Sequence, residues 1–169
     1  MDQTYIMPFI KSVQNVFETM LQLPVQIGNP SLKKTDDPCY DISGIIGMSG
    51  DLEGSVVLSF PTSTAERAIS LFTGVELDKS HEDFVDAVGE LVNMVSGGAK
   101  AQFEGKKVNI TCPSVVIGSE HVVFAQKDVV SIHIPCTCDV GEFSVEISIK
   151  QDSFKQTDAQ AKAEAGTTA

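Results

Sequence analysis

From Tyr5 to Leu23 the apolar residues Ile6, Phe9, Ile10, Val13, Val16, Phe17, Met20 and Leu21 recur every three or four positions. That spacing predicts a helix with a broad buried stripe. Pro24 marks its end, because the residue before a proline disfavours the helical region. Val25-Gln26-Ile27 reads as a short strand, and the run from Asn29-Pro30-Ser31 to Asp36-Asp37-Pro38 as a polar, proline-bounded loop. Two strands follow, within Tyr40 to Met48 and within Gly54 to Phe60, joined by a hairpin loop at Gly50-Asp51-Leu52-Glu53. The second is almost continuously apolar, which predicts a central strand covered on both faces.

Pro61-Thr62-Ser63-Thr64 opens a helix through about Phe72. Thr62 or Ser63 is its expected cap, with Glu66 in the first turn and Thr73-Gly74 at the end. A second long helix runs from near His81 to about Phe103, stopped by Gly105-Lys106-Lys107. Val108 to Ile117 reads as a strand broken at Pro113, and Val122 to Gln126 as a short strand or an extension of it. Val129 to Ile134 and Glu142 to Ile149 alternate around a turn at Asp139-Val140-Gly141. After Lys150 the chain turns to Gln, Asp, Thr, Lys and Ala, a composition that cannot bury a core face. The expected organisation is one domain over residues 1–150 and a flexible tail over 151–169. Its class is α+β, with long helices packed on a largely antiparallel sheet. The order suggests two related halves, each a helix plus strands, joined by the Pro61–Phe72 helix.

With 169 residues, 42% of them hydrophobic, the chain can bury one sizeable core. No apolar run reaches the eighteen residues of a membrane span. The start, Met1-Asp2-Gln3-Thr4, has neither the basic residues nor the apolar stretch of a secretory signal, so a cytoplasmic protein is expected. A net charge of -11 disfavours a phosphate backbone as partner, so nucleic acid is not expected. Cys39, Cys112, Cys136 and Cys138 then read as reduced thiols. His133, Cys136 and Cys138 form one loose cluster, where structural zinc wants two paired knuckles. No glycine-rich phosphate loop is present.

The chemistry concentrates in the second long helix. Phe84, Val88, Leu91, Val92 and Val95 form its buried stripe. Glu90 and Asn93, three residues apart, lie roughly 60° apart around the axis. Asp86 sits one turn before Glu90 and Gly97 one turn after Asn93, so the exposed stripe is Asp86, Glu90, Asn93 and Gly97. Asn is a middling helix former, and Gly89, Gly97 and Gly98 each cost about 1 kcal/mol relative to Ala. Spacing alone fits either a solvated face with glycines for close packing, or an acid and an amide offered to a closely approaching partner.

This helix resembles the active helix of the CheC/CheX/FliY family of chemotaxis phosphatases. The family signature is Asp or Ser, three residues, Glu, two residues, Asn, then a proline about twenty residues on. Asp86, Glu90 and Asn93 match, and Pro113 lies a few residues nearer than is usual. Met7-Pro8-Phe9-Ile10 with Val16-Phe17-Glu18-Thr19-Met20-Leu21 looks like the opening helix of the CheX branch. The resemblance spans about residues 4–150 and implies a CheC/CheX-like fold of two pseudo-repeated halves. It also implies dephosphorylation of the aspartyl phosphate of a CheY-type response regulator. In that role Asn93 would orient the attacking water and Glu90 would pair with the receiver's active-site lysine. Magnesium would belong to the receiver and no cofactor to this chain. A homodimer joined at sheet edges is implied too. The first helix carries Ser12-Val13-Gln14-Asn15 at the corresponding place, without the acid, so one working site is expected. The alternative is a non-catalytic relative that binds a receiver domain or the flagellar motor.

Overall fold

The computed structural model describes residues 3–34 and 39–150. The expected tail at 151–169 and the end of the proline-bounded loop lie outside the described residues. Helix α1 (Gln3–Val16) continues into a π-helical turn, Phe17–Leu21. There follow β1 (Gln26–Ile27), β2 (Ser31–Leu32), β3 (Ile42–Gly50), β4 (Gly54–Phe60), α2 (Thr62–Thr73) and α3 (Glu82–Lys100). The series ends with β5 (Val108–Ile110), β6 (Ser114–Ile117), β7 (Val129–Cys138) and β8 (Gly141–Lys150). Four strands follow α1 and four follow α3, with α2 between.

The strands form one antiparallel sheet in the order β1-β7-β8-β4-β3-β5, with β2 beside β1 on β7 and β6 beside β5 on β3. Strand alternation sends Ile42, Ile46 and Met48 of β3, Val56, Leu58 and Phe60 of β4, and Phe143, Val145, Ile147 and Ile149 of β8 into one apolar core. The helices cover that face. The π-helical turn places Phe17 between two strands' aromatics, its ring stacked 4.7 Å from Phe143, which lies 5.3 Å from Phe60. Gln22 then ends the helix in the left-handed region, φ 56°, two residues before Pro24.

The opposite face is also buried, but it is polar. Ser43, Ser59, Ser144, Glu146 and Ser148 are all buried, with Val57 among them. Irregular chain crosses over them. The Tyr40 N–H donates to Ser59 Oγ at 2.9 Å, and His121 Nε2 lies 2.8 Å from Ser43 Oγ. The expected central position of β4, covered on both sides, is what the sheet order and burial show.

Five local expectations are corrected. The cap of α2 is neither Thr62 nor Ser63: Pro61 holds the cap position without a side-chain bond. Asp41 Oδ2 instead accepts from the N–H and the hydroxyl of Thr62, at 3.1 and 3.0 Å. Those bonds hold the Asp41 carboxyl below its usual range. Glu66 lies beyond the first turn and accepts the Lys79 N–H. Helix α3 stops at Lys100 rather than Phe103, in a turn closed by Ala101 N–H to Gly97 O at 3.1 Å. Val122 to Gln126 forms no strand, because β6 and β5 already occupy the outer edge of β3. Last, β7 runs four residues past Ile134, through Pro135 to Cys138.

Candidate active site on helix α3

Helix α3 starts at His81, whose Nδ1 accepts the Asp83 N–H at 3.2 Å. Glu82 and Asp83 in its first turn and Lys100 in its last complement the helix dipole. Phe84, Val88, Leu91, Val92 and Val95 are buried, as the periodicity predicts. Gly44 of β3 lets the helix lie close to the sheet: a Cβ there would stand 2.9 Å from Val92 Cγ1.

On the opposite side Asp86 and Glu90 are exposed, and Asn93 and Gly97 are half-buried. One helix therefore brings all four sequence-predicted residues onto one outward stripe. Neither the Glu90 nor the Asn93 side chain has a hydrogen-bond or ion-pair partner among the described residues. An acid and an amide stand free about one helical turn apart, anchored from beneath by an apolar stripe. The pair can accept from a cation and both donate to and accept from a water or phosphoryl oxygen.

The three glycines of α3 differ in what surrounds them. A Cβ on Gly89 would stand 3.3 Å from Pro113 Cγ, so the turn between β5 and β6 leans on the helix one turn before Asn93. A Cβ on Gly98 would overlap Ser12 Oγ, where α1 crosses. A Cβ on Gly97 would meet no other part of the described residues within 4 Å. Sequence spacing named Pro113 but could not place it; the chain brings it against Gly89, beside the candidate stripe.

The matching stretch of α1 is built differently. Ser12 is 2% exposed and donates to Val95 O of α3 at 2.7 Å. Asn15 is exposed, and the position three residues before it is Ser12 rather than an acid.

One polar cluster escaped sequence reasoning. On the far face of the sheet Lys33 Nζ lies 2.5 Å from Glu146 Oε2, both side chains only 5% exposed. His133 Nδ1 stands 3.7 Å from the other carboxylate oxygen, and Cys39 Sγ 3.5 Å from the ammonium. Burial pushes the Glu146 carboxyl up, but His133 and Lys33 together outweigh it and hold it below its usual value. In sequence Glu146 looks like any polar residue alternating along a half-exposed strand. His133 and Cys136 sit on opposite faces of β7, and burial pushes the Cys136 thiol up to about 12. Among the described residues no group of three or more His, Cys, Asp or Glu could hold a metal. No described helix is long and apolar enough to cross a membrane.

The chain resembles known proteins in sequence and in fold. The model of the chemotaxis phosphatase CheX family matches residues 42–137. The chain is 32% identical, over 71% of its own length and 79% of the relative's, to the CheY-P phosphatase CheX of Thermotoga maritima. The crystal structure of the chemotaxis protein CheX from Desulfovibrio desulfuricans superimposes with a TM-score of 0.80 at 30% identity, covering 86% of this chain and 99% of that one. CheX in the CheX–CheY–BeF3–Mg2+ complex of Borrelia burgdorferi shares the fold, with a TM-score of 0.73 at 24% identity over 87% and 98% of the two chains. With a matching family model, a matching relative and a shared α+β architecture, the chain belongs to the chemotaxis phosphatase CheX family.

Proposed function

We propose that this protein dephosphorylates a phosphorylated CheY-type response regulator, using the outward stripe of α3. The observation that carries the reading is a free acid and a free amide, Glu90 and Asn93, on the one open face of an otherwise buried helix in a chain of this family.

The substrate is an acyl phosphate, already inclined to hydrolyse, so the helper needs little covalent chemistry. Water attacks phosphorus in line, the bond between phosphorus and the aspartyl oxygen breaks, and inorganic phosphate and a free carboxylate leave. Catalysis is then mostly positioning and charge stabilisation. Asn93 holds the attacking water, because an amide can accept a hydrogen bond from the water and donate one to phosphate. Glu90 pairs with the receiver's active-site lysine and fixes the docking angle. Asp86, a turn earlier, adds to the negative edge that meets this cation. Magnesium is held by the receiver, where it neutralises the phosphoryl oxygens.

The reading extends to assembly and place. Residues 1–150 act as one domain with one working site, because the α1 counterpart spends Ser12 on packing. Two copies pair through a sheet edge, for which β6 is suited: among the described strands it pairs with β3 alone. The protein works in the cytoplasm, where its receiver is.

The test is phosphate release from phosphorylated CheY of the same organism, with magnesium, with and without this protein. Acceleration is expected. An unchanged rate against every receiver of that organism would leave only a binding role.

A further inference from the structure

We propose that Gly97 is a positioning residue for this reaction, a bare stretch of helix on which the receiver's main chain rests beside its phosphoaspartate. The inference builds on the proposed function and adds a contact that neither Glu90 nor Asn93 supplies.

Glycine in a helix interior is unfavourable, so three in ten residues of α3 call for causes. Gly89 makes room for Pro113, and Gly98 for Ser12. Both causes lie within this chain. Gly97 has none among the described residues: no atom of theirs stands within 4 Å of where its Cβ would be beyond its own helix backbone, and it is not among the positions with a positive φ. An alanine could occupy the site without strain in the free protein. What it does have is its place, one turn beyond Asn93 on the open stripe. A glycine there lowers the helix surface by a side chain's height next to the amide that must reach a phosphoryl group. A partner loop can then close to van der Waals contact with the backbone, and Asn93 reaches its water without stretching. A side chain at 97 would hold the receiver off. Displacement on the scale of about 1 Å costs a positioned reaction on the order of a hundredfold.

The experiment compares wild type, Gly97→Ala and Gly97→Gln by phosphate release across a range of phosphorylated receiver concentrations, alongside thermal unfolding. Both variants should gain stability, with Tm rising by about 2–4 °C as expected for a favourable helix substitution in a chain of this size. Both should nevertheless lose activity, roughly threefold to tenfold in kcat/KM for alanine and on the order of a hundredfold or more for glutamine. Gain of stability with loss of activity is the signature that a purely structural glycine does not give. Two variants with wild-type kcat/KM would overturn the inference and leave the proposed function standing. Variants with lowered Tm would also overturn it, because Gly97 would then serve the fold. A wild type inactive on every receiver would remove both readings together.

Discussion

Helices α1 and α3 lie side by side over the same sheet, each amphipathic, each followed by four strands, and each carrying an asparagine on its outer side. They differ in how their polar side chains are used. On α1, Ser12 turns inward and gives its hydroxyl to Val95 O, at the place where Gly98 lets the two helices touch. On α3, Glu90 and Asn93 have no side-chain partner among the described residues. A polar group bonded inside the fold contributes stability and is lost to chemistry. One left free contributes nothing to stability and is available to a substrate. The comparison singles out α3 as the candidate site without appeal to a cleft, which suits a protein whose substrate is another protein's surface.

Exchanging the roles of the two helices should therefore separate activity from stability. The largest effect belongs to Asn93→Ala: phosphate release falls on the order of a hundredfold or more, about 3 kcal/mol of transition-state stabilisation, while Tm stays at the wild-type value. A collapse of stability instead would make Asn93 part of the scaffold. Glu90→Ala comes next. Its KM for the phosphorylated receiver should rise about tenfold, near 1.4 kcal/mol, with a smaller change in kcat. Equal affinity of mutant and wild type for the receiver, measured by titration, would remove its docking role. Ser12→Ala should show the converse, a loss of about 1 kcal/mol in urea unfolding with normal specific activity. Reduced turnover in the folded Ser12→Ala protein would mean that α1 feeds the reaction. Asn15→Ala closes the series with no change in activity and a stability within about 0.5 kcal/mol of wild type. A measurable loss of phosphatase activity there would point to a second site.

Much of this was legible in the residues. The period of α3 gave its buried and open faces correctly, and the two hairpins were marked by Gly50 and Gly141 at their turns. The candidate residues stood out because an acid, an amide and a glycine share a helical stripe, and because their order resembles a family signature. What could not be read depends on partners distant in sequence. The cap of α2 comes from Asp41, twenty-one positions before Thr62. The apolar run at Val122 to Gln126 has strand-like residues but no free ladder at β3 to join. The π-helical turn at Phe17 answers to Phe60 and Phe143, which belong to two different strands. Pro113 had a spacing but no location until the β5–β6 turn folded onto Gly89.

The buried Lys33–Glu146 pair has a consequence for how the sheet assembles. In the native register β8 turns Val145 and Ile147 toward the helices and Glu146 toward Lys33. If β8 slid by one residue against β4, every side chain would change face. Ser144 and Ser148 would enter the apolar layer at modest cost. Glu146 would enter it as a carboxylate stripped of both Lys33 and His133, at a cost of several kcal/mol. The carboxylate thus acts as a proofreader of strand pairing: it tolerates one register and rejects its neighbours, on the face of the sheet opposite the helices.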